Sequence, residues 1–148
     1  MTVYNISIMK MLKFIPLYFL LFSSSVGMSQ NKTIDSLVIV LKQAKNDIDK
    51  SQLLNAIADE YKATDPELML KYANEALVLS IKINHKTAQG NAYLNIGNAN
   101  IILGNYPVAL QQFTNAQIIF EKAKDTNPND KEIKNGLART YGSIGVVC

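Results

Sequence analysis

The chain has 148 residues, 15 Lys and Arg against 12 Asp and Glu, one Cys, and a formal net charge of +3. That length supports one domain with a modest core rather than two. The balanced charge implies no basic face for nucleic acid, and one cysteine excludes an internal disulfide and argues against a cysteine metal site.

The first stretch reads as an address. Lys10 and Lys13 are basic, Phe14 to Phe22 is apolar apart from Pro16, and Ser23 to Ser29 is small and polar. Basic, then apolar, then small is the layout of a secretory signal peptide, residues 1–29. The apolar run is shorter than the about 20 residues a helix needs to cross a bilayer. Cleavage after Ser29 fits best, and cleavage after Gly27 is the alternative. No cysteine follows the run, so no lipid anchor is expected. Setting Lys10 and Lys13 aside leaves 13 basic against 12 acidic residues. The chain is expected to be exported, periplasmic or on the outer face of a membrane, which it would meet only through targeting or a downstream segment.

From Thr33 the apolar spacing is helical. Ile34, Leu37, Val38, Leu41 and Ala44 share one face of a leading helix, expected over residues 30–50. Leu53, Leu54, Ile57, Ala58 and Tyr61 predict a second helix, ended by Thr64-Asp65-Pro66-Glu67. Thr64 or Asp65 can cap the next helix, and Pro66 suits its first turn. Leu68, Met69, Tyr72, Ala73, Ala76, Leu77 and Leu79 predict the third, which stops at Asn84-His85. A fourth runs from Lys86 to Leu103, where Gly104-Asn105 is a stop. Pro107 opens a fifth, ending near Lys124. A polar loop around Pro128 precedes a sixth helix from about Asp130. The expected class is all-α, built of antiparallel hairpins.

The informative pattern is Tyr93-x-x-Ile96-Gly97, then Gly104-Asn-Tyr106, then Ala109-Leu110-x-x-Phe113-x-x-Ala116. It resembles the tetratricopeptide repeat. The match is weaker upstream, at Leu54, Ile57, Ala58, Tyr61, Met69, Ala73 and Ala76, and restarts at Tyr141-x-x-Ile144-Gly145. Asn100 departs from the family's usual Tyr. Ala58 to Gly97 is 39 residues and Gly97 to Gly145 is 48, against a usual repeat of about 34. The resemblance implies repeats over about 51–85, 88–124 and part of 130–148, in a right-handed superhelix. Gly97, Ala109 and Ala116 would be small where the two helices of a hairpin cross. Tyr93 and Phe113 would fill space between hairpins. The chain reaches only part of a third repeat, which reads as a truncated array or as an open edge, Ile144 to Val147, available for self-association.

By the family's positions, the groove-facing residues are Gln52, Asn55, Asp59 and Lys62, then Asn91, Leu94, Asn95, Asn98 and Ile101, then Arg139. Amides both donate and accept, which suits a peptide backbone. Of a carboxylate-gripping set only Asn95 and Arg139 are present, and Asp59 would repel a carboxylate. No catalytic constellation is visible. His85 stands alone at a helix end, and the neighbours Asp59 and Glu60 point about 100° apart. No cofactor or metal is expected. The expected role is a protein or peptide interaction module. The alternative is the N-terminal sensor region of a longer histidine kinase or transcriptional regulator.

Overall fold

The computed structural model describes residues 25–147, with side chains from residue 32. All regular structure among them is helical: α1 (Ser25–Gln43), α2 (Asp47–Glu60), α3 (Pro66–Lys82), α4 (Lys86–Ile102), α5 (Tyr106–Thr126) and α6 (Lys131–Val147), with a 3₁₀ turn at Tyr61–Ala63. The predicted address segment lies outside the described residues, except for its last five, which begin α1. No described helix is long and apolar enough to cross a membrane. The described residues up to Asp35 and those from Ser36 onward fall in separate units, and the helices from α2 onward belong to the second.

Local chemistry sets the helix ends. The leading helix expected over 30–50 does not run unbroken: it ends at Gln43, and Asn46 caps a new helix by accepting from the Asp49 amide at 2.8 Å. An N-cap side chain satisfies one of the amides that a helix start leaves unpaired. Asn46→Ala should therefore cost about 1 kcal/mol, read as a lower urea midpoint at unchanged slope. Asp65, not Thr64, caps α3, accepting from Leu68 N at 2.8 Å. His85 caps α4 through Nδ1, which accepts from Ala88 N at 3.1 Å. Asp130 accepts from the Glu132 and Ile133 amides at the start of α6.

The turns after α3 and α4 share one geometry. Asn84 (φ 56°) and Gly104 (φ 78°) both take the left-handed conformation. In each turn the next amide reaches back to a helix carbonyl: His85 to Ser80 and Asn105 to Asn100. This closure satisfies carbonyls that the helix end would otherwise leave open. Asn100 is buried and accepts at 3.4 Å from the Asn105 side chain, so it braces this turn.

Consecutive helices from α2 to α6 pack on one another. In addition, α2 touches α4 and α4 touches α6. Alanines keep the hairpins close: Ala73 and Ala76 on α3, and Ala109 and Ala116 on α5, are fully buried. Tyr61 stacks on Tyr72 with ring centroids 5.6 Å apart, tying the end of α2 to α3. The largest core cluster joins Leu94, Phe113, Phe120, Ala123, Ile133 and Leu137 from α4, α5 and α6.

Two phenylalanines and three glycines set the spacing in that cluster. A Cβ on Gly97 would stand 2.4 Å from the Phe113 ring. Phe113 thus fills space inside its own hairpin, where Gly97 leaves a hollow for it. Phe120 occupies the position between hairpins. A Cβ on Gly90 would come within 2.6 Å of its ring, and one on Gly136 within 2.3 Å. Gly145, the glycine of the restarted motif, has nothing within 4 Å, so the close approach on α6 belongs to Gly136.

On the other side of α6, the Tyr141 hydroxyl donates to Glu121 Oε1 at 2.8 Å, and Gln117 Nε2 donates to the same oxygen at 2.9 Å. Bonding to Gln117 and then to Tyr141 lowers the Glu121 pKa below 4.5. The bond to Glu121 raises the Tyr141 pKa above 10.0. The glutamate contribution is complete above about pH 4.5 and is lost as pH falls through its lower folded value. The tyrosine contribution is complete below about pH 10 and is lost as pH rises through its raised folded value. Tyr141→Phe should move the Glu121 titration, followed by carbon NMR, back up in pH and remove the tyrosine part of the alkaline stability loss. An unmoved Glu121 titration would show that the bond does not form. Ile144 and Val147 pack partly against the core cluster, whereas Val146 is 77% exposed.

Candidate functional site

Three helix faces converge on one polar cleft of about 200 Å³. From α2 come Gln52, Asn55, Ala56 and Asp59, at helical spacings i, i+3, i+4 and i+7. From α4 come Ala88, Asn91 and Asn95, and from α6 come Glu132 and Arg139, seven residues apart. Side chains three, four and seven apart share a helix face, which is why the spacing in the sequence could place them together.

Asn55 and Asn95 are buried, at 7% and 3% exposure. Asn55 Nδ2 donates to the carbonyls of Ser51 (3.2 Å) and Ala88 (3.0 Å), the latter across the α2–α4 contact. Asn95 Nδ2 donates back across it to Asn55 O at 3.1 Å and approaches Asn55 Oδ1 at 3.4 Å. These amides therefore join the two helices as well as line the cleft. Asn91 Nδ2 donates to Glu132 Oε1 at 3.0 Å, linking α4 to α6.

Asp59 and Arg139, 80 residues apart, form an ion pair at 3.2 Å that runs from α2 to α6. Both stay about half exposed, so the pair is a weak tie that solvent screens. Asn98 is on the same face of α4, one turn beyond Asn95. It is mostly buried, does not line the cleft, and makes no side-chain hydrogen bond among the described residues.

Leu94, which the family pattern places on the groove, is fully buried in the α4–α5–α6 cluster, and Ile101 packs partly against it. Leu94 precedes Asn95 by one residue, and a helix turns about 100° per residue, so the two cannot face the same way. Glu132 is not among the groove residues expected from the repeat pattern, although its seven-residue spacing from Arg139 is a usable signal. A second, more apolar concavity of about 470 Å³ lies between the end of α1 and α2, lined by Val40, Ala44, Gln52, Leu53 and Ala56 among others. Compared with protein-family models, curated proteins and solved structures, the chain matches none at a significant level.

Proposed function

We propose that the helical hairpins of residues 51–147 are tetratricopeptide-type repeats forming an α-solenoid, and that the chain is the protein-interaction module of an exported protein. In this reading it holds an extended peptide segment along α2, α4 and α6 and carries out no reaction. The observation that carries the reading is that three helices alternating in sequence share one polar cleft. Contacts of α2 with α4 and of α4 with α6 support it, because a solenoid lines its binding face with one helix from each repeat. The cleft, at about 200 Å³, is smaller than the roughly 300–1,000 Å³ usual for small-molecule sites, and it suits one side chain of a longer ligand.

The test is selection of phage-displayed peptides on the immobilised full chain, followed by amide hydrogen exchange with and without a selected peptide. Protection is expected along α2, α4 and α6. Protection confined to α3 and α5, around the exposed Val78 and Ile118, would overturn the assignment of the binding face. Export is tested separately: cell fractionation should find a chain shortened by 27 or 29 residues outside the cytoplasm, as the two cut sites require.

A further inference from the structure

We infer that the cleft between α2, α4 and α6 takes a cationic side chain of its peptide partner, a lysine ammonium or an arginine guanidinium. The inference rests on the peptide-binding reading above and adds the chemistry of the ligand.

Hydrogen-bond accounting leads to it. A backbone carbonyl only accepts, so the end of Asn95 that faces Asn55 O must be the NH₂ group. The same logic orients Asn55, whose NH₂ faces the carbonyls of Ser51 and Ala88. Asn91 is oriented by the Glu132 carboxylate, which also only accepts when ionised. Asn55 has thus committed both of its N–H donors to fixed acceptors, and Asn91 and Asn95 at least one each. Their oxygens are left over: among the described residues, those of Asn91 and Asn95 accept no hydrogen bond, and that of Asn55 receives only the long contact at 3.4 Å. Among the described residues no buried side-chain nitrogen or oxygen is both sealed from solvent and unpaired, so these oxygens are not fully sealed off.

The charges agree. Two carboxylates, Asp59 and Glu132, line the cleft against one cation, Arg139, for a net of −1. Surplus acceptors with net negative charge suit an ammonium, which has three donors and no acceptor, or a guanidinium, which has five. A carboxylate would meet like charge and acceptor oxygens. Arg139 already shows the cleft holding a guanidinium on Asp59, and at 46% exposure it can be displaced. Gln52 is exposed and uncommitted, and can turn its oxygen to the ligand.

The experiment sequences the peptides selected on the full chain and measures the affinity of the best one, by fluorescence anisotropy, for the wild type, Glu132→Gln and Arg139→Gln. Circular dichroism confirms that each variant is folded. Peptides enriched in Lys or Arg are expected. Glu132→Gln should weaken them about two- to fivefold, the range of an exposed ion pair. Arg139→Gln should tighten them by a similar factor, because it releases Asp59 to the ligand. A merely structural role for Arg139 would give the opposite sign. Peptides that protect α2, α4 and α6 but lack Lys and Arg, or a weakening by Arg139→Gln, would overturn the inference and leave the binding face standing. Peptides that protect only the other helices would overturn both.

Discussion

Phe120→Ala should lower stability by about 3–5 kcal/mol and the melting temperature by roughly 12–20 °C. The ring is fully buried and packs against α4 and α6 while belonging to α5. Its removal takes apolar surface out of the core and leaves a void that the backbone cannot close, because helices on both sides are held apart by their other contacts. Leu94, Ile133 and Leu137 would line that void. Phe120→Leu keeps much of the volume and should lose about 1–2 kcal/mol. Equilibrium urea unfolding followed by circular dichroism measures both. A loss below about 1 kcal/mol for Phe120→Ala would mean that α6 packs against α4 and α5 in another way.

Gly136→Ala should cost about 1–3 kcal/mol, although alanine is favoured over glycine in a helix interior by about 1 kcal/mol. The added methyl would stand 2.3 Å from Phe120 Cζ. The ring cannot retreat, because Gly90 of α4 closes on it from another side with a Cβ position 2.6 Å away. Either α6 moves outward or the ring leaves its rotamer, and both lose packing. Gly142→Ala is the control, since a Cβ there meets nothing within 4 Å, and it should stabilise by about 0.5–1 kcal/mol. The double variant Phe120→Ala with Gly136→Ala decides the cause. With the ring gone the methyl has room, so Gly136→Ala should become neutral or stabilising. Additive losses in that cycle would place the Gly136 effect elsewhere than on Phe120.

Both substitutions bear on function because Phe120 seats α6 against α4. Glu132 and Arg139 reach the cleft only from an α6 in that position. On the proposed peptide-binding reading, loosening this contact should weaken binding without touching a cleft residue.

Much of the helical layout was legible in the residues. Asp65 with Pro66, His85 and Gly104 mark starts and stops through bonds made within a few residues, so no tertiary contact is needed to read them. The break at Asn46 was equally local, yet the helical spacing of the leading segment masked it. For the cleft, the resemblance to the repeat family implied Asn55, Asp59, Asn91, Asn95 and Arg139 as groove residues, and all five line it. Asn98 shares the α4 face but falls outside the lining.

The sequence by itself determined the all-helical class, most helix boundaries and which side of each helix is polar, because these follow from 3.6-residue periodicity and from caps closed locally. Tertiary structure alone decided which glycines matter. Gly90 and Gly136 look no different from Gly142 and Gly145 until the Phe120 ring is placed against the first two. It alone also decided the chemistry of the cleft. An asparagine in a sequence is both donor and acceptor, and only the carbonyl of another helix, 33 residues away for Asn55 and 40 for Asn95, fixes which end of the amide donates and which way its oxygen faces.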